Sequence, residues 1–151
     1  GVSTDPWPLL SRVRHCRLEV WRPAADGALA LWNTGEGVVE VATAAGAVTW
    51  QERGRWTSGE LAGLAFHNAV QWRRTGPAAI EVSHLRRGAE QPTFLVELRP
   101  GETGWRAVAP HLCGADRYDA RLDWTSDALS LEWQVTSPTD PYTLRWSAPL
   151  P

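Results

Sequence analysis

The sequence contains no lysine, because all fifteen of its basic residues are arginine. This absence excludes Schiff-base chemistry on a lysine side chain and a Walker-type phosphate-binding lysine. The chain also lacks a long basic run, and its formal net charge is -2. Scattered arginines provide no continuous track for phosphates, so we expect no nucleic-acid partner.

Cysteine is scarce as well, and Cys16 and Cys113 do not amount to a disulfide framework. A chain of 151 residues buries about 70% of its unfolded surface without covalent cross-links. We therefore expect one domain, 1–151, with two reduced thiols in a cytoplasmic protein. No apolar run approaches the length of a membrane span and no signal peptide is visible, so we expect no membrane partner. We expect the protein to be a monomer or a homodimer.

Several catalytic motifs are missing: a nucleophile elbow, a glycine-rich phosphate loop and a paired-cysteine motif. His111 and Cys113 would share one face of a strand and so could begin a zinc site. Zinc needs three or four ligands, and only Asp116 lies nearby in the sequence. We therefore predict no metal and no cofactor.

Tryptophan, in contrast, is abundant: the chain has ten, against two phenylalanines and two tyrosines. In a β-protein, indoles either fill the interior or line a site for a flat or apolar ligand. Most of the ten must be core residues, because only a few side chains border any one site.

The N-terminal residues predict a short helix. Thr4-Asp5-Pro6 combines a capping residue with proline at the first helical position. Apolar residues at Leu9, Leu10 and Val13 continue the pattern. We expect residues 1–14 to form a helical plug at one end of a barrel that spans residues 15–147.

From Cys16 onward, apolar and polar side chains alternate with the period of two that is typical of β-strands. Turn residues separate nine or ten short runs, and a glycine pair, Gly35 and Gly37, predicts a break between two of them. The pattern predicts an all-β fold, a single antiparallel barrel of about eight to ten strands, because closure removes exposed strand edges. The upstream runs are 16–20, 28–32, 38–43, 48–56, 64–72, 80–84, 94–98 and 105–113.

The stretch from His111 to Trp146 carries the most distinctive pattern. It opens with His-x-Cys-x-x-Asp-x-Tyr, continues with a Trp-x-Val near the end of the next strand, and turns at a proline before a last strand. This stretch resembles a bacterial family of unknown function with a lipocalin-like fold. Trp50-x-Glu52-x-Gly54 and the strand-closing Trp72 are similar to further motifs of that family.

The resemblance covers roughly residues 35–146 and implies a calycin-type barrel with an internal cavity, without an established activity. Two departures stand out. Asn68 and Val70 occupy positions where the family tends to have arginine and tyrosine, and Ser137 to Asp140 replace a Gly-Pro-basic turn. The first departure implies that Glu52 lacks a charged partner, and that the cavity of this chain is remodelled.

Parity along the strands predicts which side chains face inward, because large apolar residues must point into a small barrel. A buried carboxylate or imidazole has a shifted pKa, so we take Glu52 and His111 as acid/base candidates. Each has a structural alternative: Glu52 would bind arginine or backbone groups, and His111 would bind carbonyls at a bend. The predicted lining is Trp50, Phe66, Asn68, Val70, Trp72, Val82, His84, Phe94, Tyr118, Trp133 and Trp146.

These features favour a barrel that binds a small apolar or aromatic molecule. The leading hypothesis is a cofactor-independent cyclase or isomerase of specialised metabolism, in which the cavity enforces a reactive conformer and one polar group moves a proton. The alternatives are a non-catalytic carrier of lipocalin type and a haem-binding barrel with an inward histidine as axial ligand.

Overall fold

A closed antiparallel β-sheet makes up most of the computed structural model, which describes residues 4–151. A four-residue helix precedes it. Short runs with alternating burial, bounded by turns, form the strands because each run has one apolar face. The elements are α1 (Trp7–Leu10), β1 (His15–Pro23), β2 (Leu29–Ala44), β3 (Ala47–Ser58), β4 (Ala65–Gly76), β5 (Ala79–His84), β6 (Thr93–Pro100), β7 (Trp105–Ala107), β8 (His111–Cys113), β9 (Asp116–Trp124), β10 (Ala128–Thr136) and β11 (Tyr142–Pro149).

The barrel is an up-and-down meander closed by its own last strand. Each strand from β1 to β6 pairs with the next, β7 pairs with β9, and β9, β10 and β11 follow in order. β11 then returns to β1, with Leu18 opposite Trp146. Ten strands form the ring, and β8 extends it by pairing with the first residues of β9. The prediction of a single all-β antiparallel barrel with a short N-terminal helix is confirmed.

The sequence predicted a break at the glycine pair, and this prediction is wrong. β2 runs through Gly35 and Gly37 as one strand of sixteen residues. Gly37 lies opposite Gly54 in β3, where a Cβ atom on Gly54 would sit 2.1 Å from the carbonyl oxygen of Glu36 and 2.6 Å from Cζ of Phe66. The glycines therefore allow a close approach of backbones beneath the Phe66 ring, which is a common use of glycine within a strand.

A β-bulge changes the parity of β6. Val82 pairs with Val96, but the next residue, Ser83, pairs with Phe94, so that Leu95 is the extra residue on β6. Such an insertion shifts the side chains that precede it to the opposite face. The predicted inward position of Phe94 is therefore wrong: its side chain is exposed, and Leu95 is half-buried instead.

The predicted strand from Trp105 to Cys113 is divided in two. β7 pairs with β6 at one end of the barrel, and β8 pairs with β9 at the other. Ala109, between them, is exposed rather than inward. In the described part of the chain, no ladder joins β8 to β6.

The N-terminal segment covers the end of the barrel where β4 finishes and β7 begins. The side chains of Leu10 and Val13 are completely buried in the core cluster. The indole Nε1 of Trp50 donates a hydrogen bond of 2.8 Å to the carbonyl oxygen of Leu10, and Arg74 forms a 3.0 Å ion pair with Asp5. Full burial of an aliphatic side chain stabilises a fold by about 1.5–3 kcal/mol, so this segment is an integral part of the core.

Candidate functional site

A cavity of about 420 Å³ lies inside the barrel, at the end opposite the helix. Its volume falls within the range of about 300–1,000 Å³ that is usual for small-molecule sites. Its lining includes the exposed residues Arg86 and Cys113 at one end and the fully buried Trp72 at the other. The cavity is therefore a deep pocket with a mouth at the surface and a floor in the core.

Three indoles form the floor. The ring of Trp50 stacks on that of Trp146 at a centroid distance of 4.7 Å and an interplanar angle of 17°. Trp72 packs against Trp50 at 4.8 Å with a tilt of 57°. Aromatic pairs of this kind contribute about 0.5–1.5 kcal/mol beyond their buried area. The floor is thus a rigid aromatic surface, fixed from below by the hydrogen bond from Trp50 to Leu10.

Trp72 has an unusual hydrogen-bonding state. Its side chain is 0% exposed, yet its indole Nε1 has no hydrogen-bond partner within residues 4–151. A buried donor without an acceptor costs about 1–3 kcal/mol. Trp72 also lines the cavity, so an uncompensated polar group borders the space that a ligand would occupy.

Glu52 is the buried acid of this cavity, with an exposure of 3%. One carboxyl oxygen, Oε1, accepts a 2.5 Å hydrogen bond from Nε1 of Trp146, and Oε2 accepts a 3.1 Å bond from Nδ2 of Asn68. Asn68, which stands where the resembled family tends to have arginine, supplies a neutral donor to Glu52. Glu52 therefore joins β3 to β4 and β11 through two neutral donors.

The environment of Glu52 sets its protonation. Burial raises the pKa of the carboxyl group above its usual 4.5, while the hydrogen bonds from Trp146 and Asn68 act in the opposite direction. Burial is the largest of these effects, because it penalises the charged form. Glu52 is thus poised to exchange a proton at a higher pH than an exposed glutamate.

Titratable side chains surround the mouth. The ring of His111 lies 6.0 Å from that of Tyr118, its partner across the β8–β9 ladder. Nδ1 of His84, at the end of β5, accepts a 3.3 Å hydrogen bond from the backbone N–H of Arg86. Burial lowers the pKa of His84, and the charges of Arg86 and His111 add to this effect. Burial also raises the pKa of Tyr142, reinforced by its neighbour Tyr118.

Glu52 and His111 belong to different levels of the cavity. Glu52 bonds to Trp146 at the floor, whereas His111 is adjacent to Tyr118, which influences Tyr142. Tyr142 and Trp146 are four residues apart on β11, and a strand rises about 3.3 Å per residue, or about 13 Å over this distance. Among the described residues, no hydrogen bond joins the two acid/base candidates, and each has its own neighbours.

A family model matches residues 16–147, which is most of the chain. The chain belongs to the family of unknown function DUF6314. No curated protein and no solved structure matches it. The family has no described function from which an activity of the DUF6314 barrel could be inferred. The lipocalin-like character of the barrel rests on the sequence resemblance.

The DUF6314 barrel brings most of the predicted residues to one cavity. Phe94 is the predicted residue that does not line this cavity. The predicted residues that do line it are Trp50, Glu52, Phe66, Asn68, Val70, Trp72, Val82, His84, His111, Tyr118, Trp133 and Trp146. The lining also contains residues that sequence reasoning missed. They are Leu18, Trp56, His67, Arg86, Leu95, Cys113, Leu131, Tyr142 and Leu144. The same parity that selected Trp146 would have found Leu144 and Tyr142, whereas Arg86 lies beyond the end of β5 and has no such signal.

Three further observations concern metal ligands, the cysteines and the helix. Among residues 4–151, no group of three histidine, cysteine or acidic side chains is placed to hold a metal ion. Both cysteines are free: Cys16 is buried and Cys113 is exposed at the mouth. In the described residues, the helix is too short to cross a membrane.

Proposed function

We propose that the DUF6314 barrel binds a small aromatic or apolar molecule in its cavity. The observation that carries this proposal is the aromatic floor, where three packed indoles border a pocket of about 420 Å³. A flat apolar ligand would stack on this surface and lose its contact with water. Apolar burial of this kind is the main source of affinity in such pockets.

A neutral fluorescent probe, N-phenyl-1-naphthylamine, tests this proposal. Its size, about 17 non-hydrogen atoms, suits the cavity. At about 0.3 kcal/mol per atom, we expect a binding free energy of about 5 kcal/mol, or a Kd on the order of 0.1 mM. The measurement is the increase in probe emission on titration, with a stoichiometry of one per chain.

A matched pair of substitutions shows whether the probe enters the cavity. Val70 lines it, whereas Val38 on β2 is 46% exposed. Val70→Trp should fill the pocket and abolish binding, and Val38→Trp should leave binding unchanged. Equal affinity in both variants, each with an unchanged far-UV spectrum, contradicts the proposal. If Val70→Trp does not fold, Leu144→Trp provides the same test from the opposite wall.

The second candidate function is catalysis of proton transfer by Glu52. It corresponds to the hypothesis of a cofactor-independent cyclase or isomerase. Its support is a titratable carboxyl group in the wall of an apolar pocket, with a raised pKa. A desolvated carboxylate is a stronger base toward a carbon acid than one in water. The carrier alternative requires only the cavity.

The ring opening of 5-nitrobenzisoxazole is a suitable probe of this base. A base removes the proton on the ring carbon, the nitrogen–oxygen bond breaks, and a cyanophenolate forms without any cofactor. We expect the wild-type protein to open the ring faster than free acetate does at the same concentration. The rate should rise with pH as Glu52 ionises. Glu52→Gln should lose this rate, and His111→Ala should keep it. Equal rates in the wild type and Glu52→Gln exclude Glu52 as the base.

A further inference from the structure

The mouth of the cavity differs in charge from its floor. Arg86 is the one arginine among the lining residues, and Glu52 at the floor is the one acid. The same lining includes three imidazoles and two phenols, those of His67, His84, His111, Tyr118 and Tyr142. All of these groups can donate a hydrogen bond, and the arginine carries a permanent positive charge.

No protein carboxylate neutralises Arg86. Its guanidinium forms no ion pair or side-chain hydrogen bond with any of the described residues, whereas seven other arginines are paired with acids. At the same end of the barrel, Asp140 is already bound by Arg22, and Asp116 does not line the cavity. Burial lowers the pKa of His84, and the charges of Arg86, His111 and Arg87 act in the same direction, so the charged groups that act on His84 are cationic.

Arg86, just after the end of β5, and Tyr142, at the start of β11, line the same cavity from different parts of the barrel. After burial, the charge of Arg86 is among the influences on the pKa of His84 and of Tyr142. A guanidinium in this position, beside phenol and imidazole donors, matches a small oxyanion better than an apolar group. The floor, about 13 Å further along β11 at about 3.3 Å per residue, matches an aromatic body.

We propose that the mouth is an anion subsite, and that the barrel prefers an amphipathic ligand whose anionic head contacts Arg86 while its aromatic body rests on the tryptophan floor. This inference rests on the proposed binding function and adds the chemical class of the ligand. The head is a carboxylate, sulfonate or comparable singly charged oxyanion.

Two probes with one skeleton test the anion subsite. 1-Anilinonaphthalene-8-sulfonate carries a sulfonate, and N-phenyl-1-naphthylamine has the same rings without it. We expect the wild-type protein to bind the sulfonate about tenfold more tightly, an advantage that declines with added salt because the contact is partly exposed. Displacement of one probe by the other shows that both occupy the same cavity.

The variants separate a local contact from the general charge of the mouth. Arg86→Gln should weaken sulfonate binding about tenfold and change binding of the neutral probe by less than about twofold. Arg86→Lys should recover most of the lost affinity because it restores the charge. Arg87→Gln is the matched control, since Arg87 is exposed and does not line the cavity, and it should leave both affinities nearly unchanged.

Three results would overturn the anion subsite: equal wild-type affinity for the two probes, an equal loss of both in Arg86→Gln, or an equal effect of Arg87→Gln. In each of these cases the neutral probe still binds, so the proposed binding function stands. If the wild-type protein binds neither probe, both proposals are wrong.

Discussion

Replacing Glu52 with glutamine should change how stability depends on pH. Because burial raises the pKa of Glu52 above 4.5, the folded protein holds this proton more tightly than the unfolded chain does. The contribution of Glu52 to the free energy of unfolding is therefore complete below about pH 4.5 and is lost as the pH rises through the folded pKa. Glutamine cannot ionise, so Glu52→Gln removes this dependence.

The size of the effect at low pH follows from the contacts. A glutamine oxygen still accepts from Nε1 of Trp146, and its amide can pair with Asn68 after Asn68 rotates. The loss should be within about 1 kcal/mol. Glu52→Ala, in contrast, leaves the buried Trp146 donor without an acceptor and opens a small void, so we expect a loss of about 3 kcal/mol.

Urea unfolding of the wild type and both variants between pH 4 and pH 8 measures these differences. Subtracting the Glu52→Gln curve from the wild-type curve removes other titrating groups, including Asp5, whose pKa is lowered. We expect the stability advantage of the wild type over Glu52→Gln to decrease as the pH rises. An advantage that increases with pH would refute the reasoning, because the two hydrogen bonds would then outweigh the cost of burial.

Three further predictions concern packing and reactivity. Gly54→Ala should lower Tm by several degrees or more, since its Cβ would overlap a backbone oxygen. Gly76→Ala should not, since its Cβ would meet only the Cβ of Ala79, at an ordinary contact distance of 4.0 Å; equal Tm values of the two variants would contradict the close approach. Leu10→Ala should reduce the free energy of urea unfolding by about 3 kcal/mol, and a loss below about 1 kcal/mol would show that the N-terminal segment is not part of the core. A thiol reagent should modify Cys113 quickly and Cys16 only after unfolding, because burial raises the pKa of Cys16 to about 12; two fast thiols in the native protein would contradict this.

Much of the barrel could be predicted from alternation alone. On β3 and β4, parity placed Trp50, Glu52 and Asn68 on one face, and the ladder sets Glu52 directly opposite Asn68. Pairing within regular strands preserves such a pattern, because side chains alternate strictly. The motifs near the C-terminus likewise predicted a family of unknown function, and the family match supports that part of the resemblance.

Other features depend on interactions that the local sequence does not encode. The bulge on β6 inserts Leu95 opposite β5, and a change of one residue reverses every preceding side chain. The glycines of β2 predicted a break, but the strand is continuous there, with Gly37 close to the backbone of β3 and to Phe66. Arg86 reaches the mouth from outside a strand, so alternation cannot assign its direction.

The ten indole N–H groups offer the most direct test of the proposed binding cavity. Five tryptophans line it and five do not, so a two-dimensional ¹⁵N–¹H spectrum contains both the reporters and their controls. The lining set is Trp50, Trp56, Trp72, Trp133 and Trp146.

N-phenyl-1-naphthylamine should be titrated into the ¹⁵N-labelled protein, with each indole signal assigned by a Trp→Phe variant. We expect the five lining signals to shift with a single Kd, and the signals of the other tryptophans to stay in place. Shifts confined to the other set, or no saturable shift at all, would contradict the claim that this barrel binds a small aromatic molecule in its cavity.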